Sequence, residues 1–270
     1  MTEPAPSEKA ILLEITDECA VITLNRPHAY NAVNQDLADG LLESLIACAE
    51  DSKVRAVLIT GNGPAFCAGG DIRQMQAHVE RDGHGGQFLK TLTVALHGAI
   101  ATISHMRKPV VTAVNGAAAG AGFSLAMASD IVLAASDAKF TIDYTGIGLP
   151  PDGSLTHHLP RLIGPKLAFE LTCTNRSLSA EEARDLGIVN KVFQSEELQA
   201  AAREHVARLS NGATQALGRA KQLFATSFAN TLETQMEHER QLLSECGHTA
   251  DFKEGIGAFL AKRPASFKGR

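Results

Sequence analysis

Residues 108–129, KPVVTAVNGAAAGAGFSLAMAS, constrain this chain more than any other stretch. A β-rich run from Val110 to Val114 meets Asn115-Gly116, and small residues then lead to Gly120-Ala121-Gly122 and an apolar segment with few helix breakers. That order reads as strand, tight turn, helix. Nothing bulky or charged stands between Asn115 and Gly122. A ligand can therefore approach the main chain itself, where free N–H groups at a helix start attract negative charge.

Several uses of such a turn compete. A dinucleotide fingerprint, G-x-G-x-x-G, fails at Leu125, and the turn lies mid-chain. A nucleophile elbow around Ser124, G-x-S-x-G, fails at Ala126. An oxyanion hole asks only for preorganised N–H donors, and close packing of helix on strand asks only for small side chains. The turn alone does not decide among them.

A second stretch repeats the pattern. Residues 54–60 form a nearly unbroken apolar run, suited to a strand covered on both faces. GNGPAFCAGGDI follows, with exposed backbone at Ala68-Gly69-Gly70 and a helix expected from Asp71, a natural N-cap. If both turns lie at one end of a parallel sheet, their N–H groups converge on one oxygen.

Around these turns, residues 11–15 and 19–24 read as a hairpin. A helix from near Asn34 carries Leu37, Leu41, Leu45 and Ile46 on one face. Residues 73–88, with a glycine-rich loop at 82–86, are expected to be flexible and to shape a pocket. The helix after them runs to about Arg107 and carries His97 and His105, a setting in which a lone histidine is most often structural or solvated. A buried strand is expected at 131–135, an extended piece at 139–142, a loop at 143–153 and a helix at 154–163. Ser179 and Glu182 form a capping box, a strand covers 189–193, and helices broken near 211–212 and 246–247 make three segments. The chain thus divides into a disordered leader (1–9), an α/β core (10–195) and a helical C-terminal region (196–270).

A formal net charge of −5, no Trp and two Tyr argue against nucleic-acid binding by bulk charge or base stacking. Five scattered cysteines without a C-x-x-C point to free thiols, and no metal-ligand spacing occurs. No apolar run is long enough to span a bilayer. Acidic residues and prolines stand where a signal peptide has a basic then apolar run. A cytoplasmic protein with no membrane and no nucleic-acid partner is expected.

Asn25-Arg26-Pro27 with Asn31-Ala32, AFCAGGDI (65–72), KPVVTAVNGAAAGAG (108–122), FT…GIGLPPDG (140–153), LPRLIG (159–164) and LSAEEARDLGIVNKV (178–192) come in the order and spacing of one family. Over nearly its whole length the chain resembles the enoyl-CoA hydratase/isomerase (crotonase) superfamily. The resemblance implies an α/β, crotonase-like superhelix of stacked β-β-α units with a helical C-terminal trimerisation region, assembled as a homotrimer or a dimer of trimers. It also implies an acyl-CoA thioester substrate, no metal, and no cofactor beyond the CoA moiety of that substrate.

Carried onto this sequence, the oxyanion-hole donors are the backbone N–H groups of Gly70 and Ala121. Substrate contacts fall on Arg26, Ala29, Ala68, Asp71, Ile72, Ser124, Tyr144 and His97, with Phe259 and Lys262 toward CoA. Hydratases of the family carry two glutamates whose positions here hold Ser124 and Tyr144, and neither can act as a carboxylate base. The nearest acid is Asp152. Its position resembles that of the acid in the isomerase branch, above all the ring-epoxide and 3-enoyl-CoA isomerases of phenylacetate catabolism, as does the segment 250–269.

One carboxylate can take a proton from one carbon and return it to another, so isomerisation needs no water-binding pair. Leu149 and Pro150 are expected to bury Asp152, whose other natural role is to cap the following helix. The alternatives are an enoyl-CoA hydratase and a 4-chlorobenzoyl-CoA dehalogenase type using Asp152 and His97. That last branch has Trp where Tyr144 stands. A non-catalytic CoA-binding scaffold and a serine hydrolase using Ser124 complete the set.

Overall fold

The computed structural model describes residues 9–270, so of the leader expected at 1–9 all but Lys9 lies outside the described residues. Strands β1 (Ile11–Thr16) and β2 (Cys19–Leu24) pair antiparallel from Ile11 opposite Leu24 to Thr16 opposite Cys19. Asp17 and Glu18 between them both have positive φ, as a two-residue turn matched to strand twist requires. Helix α1 (Gln35–Glu50) starts at Asn34, whose side chain accepts from the Leu37 N–H. Leu37, Leu41 and Leu45 are fully buried, but Ile46 is 41% exposed. At 3.6 residues per turn, position 46 lies about 100° round from 45, outside the core-facing stripe.

Strand β3 (Ala56–Gly61) joins β2 in parallel and is buried throughout, as its apolar run predicts. The chain does not then pass straight into a helix. It turns into a three-residue strand, β4 (Ala65–Cys67), before α2 (Ile72–Asp82) and α3 (Gly86–His105). The unit repeats as β5 (Val110–Val114), β6 (Ala117–Ala119) and α4 (Ala121–Met127). It repeats again as β7 (Ile131–Ala135), β8 (Lys139–Thr141), a 3-10 turn at Thr145–Ile147 and α5 (Leu155–Ile163). Reading periodicity alone as strand, turn, helix misses the second strand of the first two units, because three residues are too few to display alternation, whereas the extended piece expected at 139–142 is β8. The β-β-α units implied by the family resemblance are present.

Helices α6 (Pro165–Thr174) and α7 (Ala180–Asp185) follow, with β9 (Leu178–Ser179) between them and β10 (Lys191–Phe193) after. The Ser179–Glu182 capping box forms as expected. Six strands make one sheet in the order β1-β2-β3-β5-β7-β10, and the short strands make a second, β4-β6-β8-β9. The C-terminal region is α8 (Leu198–Ser210), α9 (Thr214–Ser227), α10 (Leu232–Gly247) and α11 (Ala250–Leu260). These are four helices, not three: Thr231 caps a fresh start by accepting from the Thr234 N–H. Helix α8 packs on β2, β3, β5 and β7, while α1 and α3 pack on each other. No helix among the described residues is long and apolar enough to cross a membrane.

Candidate active site

The register of the small sheet brings the two glycine-rich turns together. Strands β4 and β6 run parallel with Ala65 opposite Ala117 and Cys67 beside Ala118. A Cβ on Gly122 would lie 2.1 Å from the Cys67 carbonyl oxygen, so only glycine lets α4 press this closely on β4. Ala121 is the first residue of α4, where an N–H has no acceptor within the helix. No described main-chain group accepts from the N–H of Gly70 or Ala121. Both residues line one cavity of about 300 Å³, together with Ala68, Gly69, Ala119 and Gly120.

The Asn25–Arg26–Pro27 segment supports the first turn from behind. Asn31 donates to the carbonyls of Asn62 and Ala65 and accepts from the Arg26 N–H. The Val33 N–H donates to Gly69, and the Val33 carbonyl accepts from Asp71. Arg26 pairs with Asp71 at 3.0 Å, both largely buried, and Asp71 caps α2. Arg26, Ala29 and Asp71, expected as substrate contacts, do not line the cavity; the two charges neutralise each other under the turn. Asp71→Asn keeps a competent cap but strands a buried guanidinium. It is expected to destabilise the fold by about 3–5 kcal/mol, read from the urea midpoint.

Residues 73–88 comprise most of α2, a short break at 83–85 and the start of α3, with His78 stacked on Phe88 at 4.0 Å between ring centroids. Of these residues Met75 lines the cavity. Ile72 and Met75 from α2 face Leu89, Leu92, Thr93 and Leu96 from α3. That α3 set has the i, i+3, i+4, i+7 spacing of one helix face, a signal present in the sequence and not used. Ile147, Leu149 and Pro150 close the remaining side, and Asp143, a second carboxylate unforeseen from sequence, stands at the exposed rim.

Asp152 reaches the cavity through an unusual backbone. Gly153 and Ser154 both have positive φ, +61° and +69°, and a Cβ on Gly153 would come within 2.9 Å of the Ser124 Cβ. The chain thereby folds Asp152 over Ser124, whose Oγ donates to the Asp152 carbonyl at 2.9 Å. The capping role is not taken: Ser154 holds the N-cap of α5 and no side chain caps it. Instead Oδ1 of Asp152 accepts from the Tyr144 hydroxyl at 2.5 Å, and Oδ2 lies 3.3 Å from His97 Nε2.

Ser124 and Tyr144 are buried and their oxygens are 3.2 Å apart. Burial first, then the charge of Asp152, pushes the Tyr144 phenol well above its ordinary range, so it stays a neutral donor. The Asp152 side chain retains 30% exposure, so Leu149 and Pro150 flank it without sealing it. His97 is 52% exposed.

Of the other expected contacts, Ala68, Ile72 and Tyr144 line the cavity. Phe259 is 84% exposed and borders a separate cavity among the C-terminal helices, and Lys262 follows α11 just beyond it. Ser124 Oγ donates to the Asp152 carbonyl and also lies near the Gly120 carbonyl and the Tyr144 hydroxyl, so it lacks the histidine a serine hydrolase needs. Two free N–H groups beside one carboxylate can hold a developing oxyanion while a proton moves between neighbouring carbons.

Comparison with known proteins places the chain. Residues 14–270 match the family model described as Enoyl-CoA hydratase/isomerase. The chain is 36% identical over 260 residues to the 1,2-epoxyphenylacetyl-CoA isomerase of Escherichia coli K12, covering 96% of this chain and 98% of that one. It is 37% identical over 265 residues to a probable enoyl-CoA hydratase of Rhodobacter capsulatus, covering 98% and 100%. A crystal structure of an enoyl-CoA hydratase from Polaromonas sp. JS666 superposes with a TM-score of 0.90 at 36% identity, covering 96% and 99%.

Proposed function

The chain belongs to the enoyl-CoA hydratase/isomerase family, and within it we propose that the protein is an isomerase of enoyl-CoA thioesters with Asp152 as the single proton carrier. The thioester carbonyl oxygen sits against the N–H groups of Gly70 and Ala121. Oδ2 of Asp152 takes a proton from C2 of a 3-enoyl group, and the electron pair left behind spreads into a dienolate whose oxyanion the two N–H groups stabilise. The same carboxyl then delivers the proton to C4, giving the conjugated 2-enoyl thioester. Atoms and charge balance within the substrate, so neither water nor a redox partner enters.

One observation carries this reading. Ser124 and Tyr144, at the positions where hydratases of the family hold their glutamates, are hydrogen-bonded to Asp152 itself, so neither offers a carboxylate to activate water. The E. coli relative's name is that of a ring-epoxide isomerase, and a ring epoxide is the second acyl class that the same proton chemistry suits.

A dehalogenase-like hydrolysis, with Asp152 as nucleophile and His97 activating water, is the second reading. It is supported by the 3.3 Å contact between them. The assembly is proposed to be a homotrimer or dimer of trimers, supported by Phe224, Phe228, Leu232, Met236 and Leu243, which α9, α10 and the link between them leave exposed.

The test is incubation with a 3-enoyl-CoA and, separately, a 2-enoyl-CoA, following conjugation by ultraviolet absorbance and hydration by mass. Conjugation of the first without hydration of the second is expected. Fast gain of water by the 2-enoyl thioester would overturn the isomerase reading, and turnover of 4-chlorobenzoyl-CoA alone would favour hydrolysis.

A further inference from the structure

We propose that Tyr144, braced by Ser124, is a positioning residue: it clamps Oδ1 of Asp152 so that Oδ2 alone carries the proton. The inference rests on the reading of Asp152 as proton carrier and goes beyond it. Asp152 stands on an irregular loop, where a carboxylate with free side-chain torsions would present either oxygen in many orientations. Three contacts remove that freedom. The Tyr144 hydroxyl holds Oδ1 at 2.5 Å, Ser124 Oγ holds the Asp152 carbonyl at 2.9 Å, and Ser124 lies 3.2 Å from the Tyr144 hydroxyl.

Ser124 is itself fully buried on α4, the helix that begins with the oxyanion donor Ala121. The clamp therefore ties the proton carrier to the element that holds the substrate oxygen. A shared rigid support is what keeps two reacting groups in register.

Removing a hydrogen bond donated to a carboxylate disfavours its charged form, so the pH profile of a variant reads the clamp. The other titratable groups facing Asp152 are His97 from α3, on the Oδ2 side, and Asp143 at the rim of the same cavity. Burial keeps the phenol from ionising, so the donor persists as pH changes.

The experiment uses the full-length protein with the 3-enoyl-CoA that it turns over. Tyr144→Phe is expected to lower kcat about tenfold or more with KM little changed, and to move the acid limb of kcat/KM to higher pH. Because the chain has two tyrosines and Tyr30 is exposed, biosynthetic replacement by 3-fluorotyrosine reads Tyr144 even if the Phe variant folds poorly. A more acidic phenol is a stronger donor and should move the same limb to lower pH. Both shifts should persist in a His97→Gln background; their loss there would assign the limb to His97 and overturn the inference. Wild-type kcat and an unmoved limb in Tyr144→Phe and in the fluorotyrosine protein would also overturn it. If Asp152→Asn is inactive in that case, the proton-carrier reading survives; if Asp152→Asn is active, that reading falls first.

Discussion

Asp152→Asn is expected to lower kcat/KM for double-bond isomerisation by about 10²- to 10⁴-fold, the range attributable to a positioned acid–base group, while the protein should melt as the parent does. The substitution preserves shape. An Asn side-chain oxygen can still accept from Tyr144, and the main-chain carbonyl that Ser124 holds is untouched. What disappears is the carboxylate oxygen 3.3 Å from His97 Nε2. The assay is absorbance of the conjugated thioester, with thermal melting and CoA-ester binding as controls. Asp143→Asn is the informative companion, because Asp143 is the other carboxylate on the cavity wall and is exposed at its rim. Near-parental activity is expected there. If Asp152→Asn stayed active and Asp143→Asn did not, the proton would travel on the rim carboxylate and the mechanism would have to be rebuilt.

Ala121→Pro removes a main-chain donor and little else. Proline is at home at the first position of a helix, where its missing N–H costs no intrahelical bond, and Ala121 holds that position in α4. The preceding Gly120 has φ +49° and ψ −121°, a conformation open to glycine and outside the right-handed helical region that a following proline disfavours. The chain should therefore fold, yet one of two oxyanion donors is gone and a ring stands where its hydrogen pointed. Loss of one such donor costs about 10²- to 10³-fold in kcat. Ala121→Gly, which keeps the N–H, is expected to stay within a few-fold of the parent. A fully active proline variant with normal circular dichroism would show that the Ala121 N–H does not hold the developing charge.

Local chemistry accounts for what was readable beforehand. The hairpin, the Asn34 cap, the buried run of β3 and the Ser179–Glu182 box each depend on residues within a few positions of one another. Strands β4 and β6 of the second sheet escape periodicity because they are shorter than the pattern that reveals strands. Segment 73–88 holds most of α2, the break between helices that its glycines signal at 83–85, and the start of α3, while the apolar stripe at 89–96 lies further along that helix. Arg26 and Asp71 fall beside site motifs in the sequence, yet they pair with each other across 45 positions and support the turn from behind.

Two glycine-rich turns, the family, the missing carboxylates at 124 and 144 and the presence of an acid at 152 were determined by the sequence itself, since residue identity and short-range spacing are all they require. Whether Asp152 caps a helix or carries a proton was not. That depended on positive φ at Gly153 and Ser154, and on sheet registers that bring together groups 8, 28 and 55 positions apart. Hydrophobic pattern specifies which face of an element is buried; which side chains then meet in one cavity is decided only when those faces are packed.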